Sequence, residues 1–284
     1  MSKAARLREL LERKEIARIV GSRDALTALL VEEAGFDGLW ASSFEISASR
    51  ALPDLGLLTM SELLEASSHV NAATSLPLLA DCDTGFGGNI NVVRTVDMFE
   101  AAGIAGICLE DKVFPKRNSF LGGGQNLEDP AEFAGRIQAA VRARSGSDFT
   151  VVARVEALIA GAGLDEALRR AHLYADAGAD AVLIHSKKEE PGEILDFLRA
   201  WQGRRPVVVV PTTYPHWDLA EAEEAGVSVV IYANHALRAS VSAMRGVLSE
   251  IRVAGGTGGV EDTIAPMKEL FGLTQVSRWE ERSA

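Results

Sequence analysis

The chain has 284 residues, 47% of them hydrophobic and 24% charged, which is enough apolar sequence for one large or two small cored domains and too much for a disordered chain. A formal net charge of −11 argues against non-specific binding of nucleic acid or of anionic membrane, because the global field repels polyanions; a local cationic pocket for a small anion stays open. The two cysteines, Cys82 and Cys108, are too few for a disulfide framework or a thiolate metal site, and both sit in apolar runs as expected of reduced core thiols.

Met1–Lys14 has a charged, helical pattern with no apolar segment of the signal-peptide kind. No apolar run reaches membrane-span length, so a cytoplasmic protein is expected. One phrase then recurs along the chain. Ala34-Gly35, Ala102-Gly103, Ala177-Gly178 and Ala225-Gly226 each end an amphipathic helical pattern and are followed, after a short turn, by an apolar run. Glycine there supplies a left-handed helix cap, and apolar strands separated by helices imply a parallel sheet covered on both faces.

In chain order the expected strands are Ile16–Val20, Gly38–Ala41, Leu78–Ala80, Gly106–Leu109, Thr150–Ala153, Ala181–Ile184, Val207–Val210 and Val227–Tyr232. The expected helices are Arg23–Ala34, Met60–Ala73, Asn91–Ala102, Pro130–Arg144, Leu164–Ala177, Pro191–Trp201, Asp218–Ala225 and His235–Arg252. Eight alternating pairs predict a (β/α)8 TIM-type barrel, with a doubly wound open sheet as the alternative. The barrel with its leading helix is expected over residues 1–254. A C-terminal helical extension of the same domain follows over 255–284, beginning at the Gly255-Gly256-Thr257-Gly258-Gly259 run. That run does not follow a strand, so it is no phosphate loop.

In such a barrel the chemistry sits at the C-terminal strand ends, and the polar clusters of this sequence fall there. They are Trp40-Ala41-Ser42-Ser43-Phe44, with Asp54 beyond, then Asp81-Cys82-Asp83-Thr84-Gly85-Phe86-Gly87, Glu110-Asp111, Arg154-Val155-Glu156 and His185-Ser186-Lys187. Asp81 and Asp83, two apart and so on one side of a strand, with Glu110 and Asp54, form a hard-oxygen set suited to Mg²⁺ or Mn²⁺; an acidic turn is the plainer alternative. Lys116, Arg154 and His185 are candidates for an anionic group, against an Arg154 ion pair with Glu156 or Glu110 and a core role for His185. The loop after Glu110 carries Pro115, Lys116, Asn118 and Ser119 and then Gly122-Gly123-Gly124, the composition of a mobile lid.

The stretches Glu110-Asp111-Lys112-Val113-Phe114-Pro115-Lys116-Arg117-Asn118-Ser119, Asp81 to Gly87, Ala153-Arg154-Val155-Glu156-Ala157 and His185-Ser186-Lys187-Lys188 resemble the phosphoenolpyruvate mutase branch of the isocitrate lyase superfamily, over nearly the whole chain. The resemblance implies a Mg²⁺-dependent barrel whose final helices are exchanged between subunits, in dimers that pair into a homotetramer. It implies interconversion of phosphoenolpyruvate and phosphonopyruvate, with phosphonopyruvate hydrolysis as the neighbouring activity. The lyase members carry a loop Cys where this chain has Lys116-Arg117-Asn118-Ser119-Phe120, which disfavours C–C cleavage; a non-catalytic acid-binding barrel is a further alternative. Asn118 and Lys187-Lys188 are mutase-like, Phe44 and Tyr214-Pro215 hydrolase-like, and Ser43 replaces the family's usual glycine. By the same resemblance Asp81, Asp83 and Glu110 are the metal side, and Trp40, Ser42, Ser43, Phe44 and Ser119 bind substrate. Asp54, Lys116, Asn118, Arg154 and His185 are the catalytic set, with a nucleophilic role for Asp54 left open.

Overall fold

A computed structural model describes residues 1–283. The eight strands are β1 (Ala17–Gly21), β2 (Gly38–Ala41), β3 (Leu78–Asp81), β4 (Gly106–Glu110), β5 (Thr150–Val155), β6 (Ala181–Ile184), β7 (Val207–Val209) and β8 (Val229–Tyr232). They pair in parallel in chain order, and β8 pairs back to β1, Ala17 facing Val229, to close a barrel. The open-sheet alternative is thereby ruled out. The leading helix α1 (Lys3–Glu12) precedes the barrel. Between the strands run α2 (Ala25–Glu33), α3 (Ser43–Ser49), α4 (Met60–Ala73), α5 (Asn89–Ala101), α6 (Pro130–Ala143), α7 (Leu164–Asp176), α8 (Gly192–Trp201) and α9 (Leu219–Glu224).

Gly35, Gly103, Gly178 and Gly226 all take positive φ, between 74° and 104°, so the recurrent Ala-Gly is the left-handed helix stop that the sequence suggests. The strands bury both faces, and their side chains sort by parity. Ile19, Trp40, Leu79, Cys108, Val152, Leu183, Val208 and Ile231 form one cluster, which Leu7, Leu10 and Leu11 of α1 join. The neighbouring residues Leu39, Ala80, Ile107, Val151, Val182 and Val209 belong to the other cluster, with Phe99, Phe133, Tyr174, Phe197 and Trp201 of the surrounding helices. Cys82 and Cys108 are free and buried.

Met1–Asn234 is one compact unit and His235 onward a second. The second holds α10 (His235–Ala254), a 3-10 turn at Glu261–Thr263, α11 (Met267–Leu273) and α12 (Val276–Ser283). The division falls before α10, whereas the sequence places the barrel's end at 254. Helix α3 lies where the sequence suggests only a strand end and loop. Ser42 caps it, its Oγ accepting from Glu45 N at 3.3 Å.

Candidate active site

Continuing the inward parity of each strand by two residues builds the site. Leu79 leads to Asp81, Cys108 to Glu110, Val152 to Arg154 and Leu183 to His185. All four polar groups therefore project over the barrel's C-terminal mouth, and Asp81, Glu110 and His185 are each 5% exposed or less. The Asp81–Gly87 turn is tightly wound. Asp83 and Phe86 hold φ of 48° and 60°, an uncommon state for non-glycine residues. Gly85 has φ 91° and lies where a Cβ would come within 2.6 Å of Val92.

The loop after β4 folds back over this mouth. Its base is pinned by the antiparallel bridge Lys112–Leu127 and by Val113 N donating to Asn126 O. Lys116 Nζ lies 2.7 Å from Asp54 Oδ1 and 2.9 Å from Asp83 Oδ1, and donates to Ser43 Oγ at 3.1 Å. Ser43 Oγ in turn donates to Asp81 Oδ2 at 3.0 Å. The Asn118 amide donates to Asp54 Oδ2 at 2.7 Å. Burial alone would lower the Lys116 pKa, but Asp83, Asp54, Glu110 and Asp81 outweigh it and raise it well above the usual lysine value. Burial raises Asp83 against the pull of Lys116.

A second buried network stands beside the first. Arg154 Nε contacts Glu156 Oε1 and lies 3.6 Å from Glu110 Oε2. His185 Nδ1 is 2.8 Å from Glu156 Oε1. Lys112 Nζ is 3.0 Å from Glu156 Oε2 and donates to Ser119 Oγ at 2.7 Å. Burial pushes Glu156 up, yet Arg154, His185 and Lys112 overcome it and hold the carboxyl well below its usual range. Glu110, with less compensation, is pushed up to about 7 by burial. Behind the network Asp111 accepts from Arg170 Nη1 at 3.0 Å, Tyr174 Oη at 2.8 Å and Glu156 N at 2.8 Å, bracing the strand end from outside the barrel.

Asp54, Lys116, Asn118, Ser43, Asp81 and Asp83 thus meet in one cluster, and Arg154, His185, Glu110 and Ser119 in the other. The Ser119 hydroxyl bonds to Lys112, Glu156 and Arg154. Trp40 lies in the apolar barrel interior rather than among the polar groups, and Phe44 is half-buried on the first turn of α3. Lys112 received no role from the sequence and Glu156 only that of an ion-pair partner for Arg154, although each follows a candidate at a spacing of two. The ion pairs of Arg154 with Glu156 and Glu110 hold together with its place in the site.

Among the described residues no three His, Cys, Asp or Glu groups converge as a ready-made metal centre. The donors still suit a divalent cation held through one or two carboxylates, water and substrate. All are hard oxygens, and Glu110 Oε1 is buried with no hydrogen-bond partner among the described residues.

The phosphoenolpyruvate phosphomutase family model matches residues 7–252. The phosphonopyruvate hydrolase of Variovorax sp. (strain Pal2) is 47% identical over 277 residues, spanning 96% of this chain and 95% of the relative. The crystal structure of phosphoenolpyruvate phosphomutase from Streptomyces platensis subsp. rosaceus superposes with a TM-score of 0.97 at 50% identity, covering 98% of this chain and 97% of that one. A phosphonopyruvate hydrolase in complex with oxalate and Mg²⁺ superposes with a TM-score of 0.94 at 45% identity, covering 99% and 98%.

Proposed function

The chain belongs to the phosphoenolpyruvate phosphomutase family, and from that premise we propose that it interconverts phosphoenolpyruvate and phosphonopyruvate. The observation that carries this reading is the state of Asp54. Lys116 Nζ occupies one carboxylate oxygen and the Asn118 amide the other, each at 2.7 Å. An acid so engaged is poorly placed to take a proton from water, so the migrating phosphoryl group is recaptured by carbon.

Phosphoryl transfer of this loose kind depends on positioning and charge. Arg154 and His185 hold the phosphoryl group, and Lys116 neutralises charge on its path. Asn118 and the rest of loop 111–126 keep water out. The backbone N–H groups of Ser43 and Phe44, in the first turn of α3 without intrahelical acceptors, hold the substrate carboxylate, with Ser42 fixing that turn. Asp81, Asp83 and Glu110 would hold Mg²⁺, which when bound supplies positive charge to the enolate oxygen and carboxylate.

Hydrolysis to pyruvate and phosphate is the second reading, favoured by the 47% identity to the Variovorax enzyme. Asn118→Ala tests the choice. It frees one oxygen of Asp54 and opens the lid, so the ratio of phosphate to phosphoenolpyruvate formed from phosphonopyruvate is expected to rise by about tenfold or more, the scale of one lost positioning contact. An unchanged ratio, followed by phosphorus NMR, removes Asn118 from that role.

The reading includes assembly. The second unit exposes Met244, Leu248, Val253, Met267, Phe271 and Trp279, more apolar surface than a helical segment usually leaves in water. Its burial against a second copy, with helices exchanged in dimers that pair into a tetramer, accounts for it. Light scattering is expected to give the mass of four 30.3 kDa chains; a single-chain mass contradicts the assembly. Among the described residues no helix is long and apolar enough to cross a membrane.

A further inference from the structure

The ring nitrogens of His185 have unequal surroundings. Nδ1 lies 2.8 Å from Glu156 Oε1 and 2.9 Å from Arg154 Nη2. A carboxylate only accepts and a guanidinium only donates, so Nδ1 serves one of them. If Nδ1 carried no proton, its lone pair would face the lone pairs of an ionised carboxylate at 2.8 Å. With the proton on Nδ1, that contact becomes a charge-assisted hydrogen bond. Arg154 Nη2 then keeps Ser119 Oγ, at 3.3 Å, as an acceptor. The ring is therefore the Nδ1–H tautomer, and in its neutral form Nε2 carries a lone pair. Nε2 is buried and has no hydrogen-bond partner among the described residues.

The charged groups around the ring come from three elements. β5 and its end supply Arg154 and Glu156, and the β4–α6 loop supplies Lys112, with Ser119 neutral and Phe120 edge-on at 5.8 Å. The ring's own segment supplies Lys187, whose Nζ donates to Ile159 O; Glu110 stands 3.6 Å from Arg154 Nε. Burial is the largest influence and lowers the His185 pKa, with Arg154 and Lys112 acting the same way against Glu156. The free site thus holds a neutral imidazole whose buried, unpartnered Nε2 is an acceptor.

An acceptor cannot bind a phosphoryl oxygen dianion, which has only lone pairs to offer. We propose that substrate binding brings one extra proton into the complex, shared between His185 Nε2 and a phosphoryl oxygen, so that His185 recognises the phosphoryl group as a proton-carrying partner rather than as a fixed cation. The proposal rests on the phosphoryl-transfer reading above. The proton comes from solvent or from the monoprotonated substrate, and no bond to phosphorus or carbon changes in the step. The group's affinity for a proton is higher in the complex than in the free site. Binding is therefore favoured at low pH and lost as pH rises through the free-state values.

The test is the pH dependence of kcat/KM for phosphonopyruvate in the Mg²⁺-supplied enzyme, from about pH 6 to about pH 9. Above the free-state values the wild type is expected to fall about tenfold per pH unit. His185→Gln, whose carboxamide donates without being protonated, is expected to be slower near neutrality and flat on that limb. A flat wild-type limb, or a His185→Gln limb as steep as the wild type, overturns the proposal. A second measurement does not need turnover. The chain has five histidines, so the imidazole nitrogen NMR spectrum is sparse and His185→Gln assigns it. The free protein near neutral pH is expected to show a neutral Nδ1–H ring, doubly protonated once phosphonopyruvate is bound. An Nε2–H or doubly protonated ring in the free protein overturns the inference alone. Absence of any phosphonopyruvate binding overturns the functional reading and the inference with it.

Discussion

Lys116→Ala is expected to lower turnover of phosphonopyruvate by about a thousandfold, the upper range for loss of one preorganised charge, while the barrel still folds. Lys116 is the cation that pairs with Asp54 and Asp83 and donates to Ser43. Without it three carboxylates, Asp54, Asp81 and Asp83, face one another at a mouth where each is no more than 8% exposed. The loop also loses a buried anchor, leaving the Asn118 side chain to hold Asp54. Removing one partner of a buried pair costs about 3–5 kcal/mol. Here the cost falls mainly on loop closure, because the loop can lift away and let water reach the acids. Steady-state kinetics and limited trypsin digestion at Arg117, which is exposed in the loop, read the two effects. Wild-type turnover in the variant would remove Lys116 from the catalytic set.

Arg154→Met is expected to damage both stability and binding. Arg154 lies on β5, inside the barrel wall, and cannot lift away. Its loss leaves Glu156 and Glu110, both 2% exposed or less, with Lys112 and His185 as basic partners and Ser119 donating to Glu156. A penalty of about 3–5 kcal/mol for the uncompensated charge converts to a fall in Tm of roughly 10 °C for a domain of this size. Arg154→Lys is expected to restore most of the Tm, because the charge returns. It is not expected to restore kcat/KM, because one ammonium cannot reproduce a planar fork that reaches Glu156, Glu110 and Ser119 at once. Calorimetry with kinetics on both variants checks this; full activity in Arg154→Lys would mean that charge alone suffices.

The barrel was legible because its signals are local and repeated. Ala-Gly helix stops and four-residue apolar runs need no knowledge of distant contacts, and strands adjacent in sequence became neighbours in space. The same regularity brought Asp81, Glu110, Arg154 and His185 to one rim, since parity along a strand is a property of the chain itself. Parity carried one step further reaches Lys112 and Glu156. Helix α3 also had a local signal, Ser42 three residues before Glu45, a helix-start pattern, which the strand-like start of that segment obscured. Other contacts had no local trace. Lys116 meets Ser43 across 73 residues and Asn118 meets Asp54 across 64. Those pairings exist only once a polar loop has folded back across the mouth, so composition suggested a lid but not where each side chain would dock. The unequal partners of the His185 ring likewise depend on distances of a few tenths of an ångström, which no pattern of residue types carries.

The measurement that tests the account most directly is phosphorus NMR of the protein with phosphonopyruvate and Mg²⁺. The arrangement of Asp54, Lys116 and Asn118 predicts that a phosphoenolpyruvate resonance grows in, with little inorganic phosphate. Phosphate formed directly, with no phosphoenolpyruvate at any time, would contradict the account and make the site a hydrolase despite its engaged Asp54.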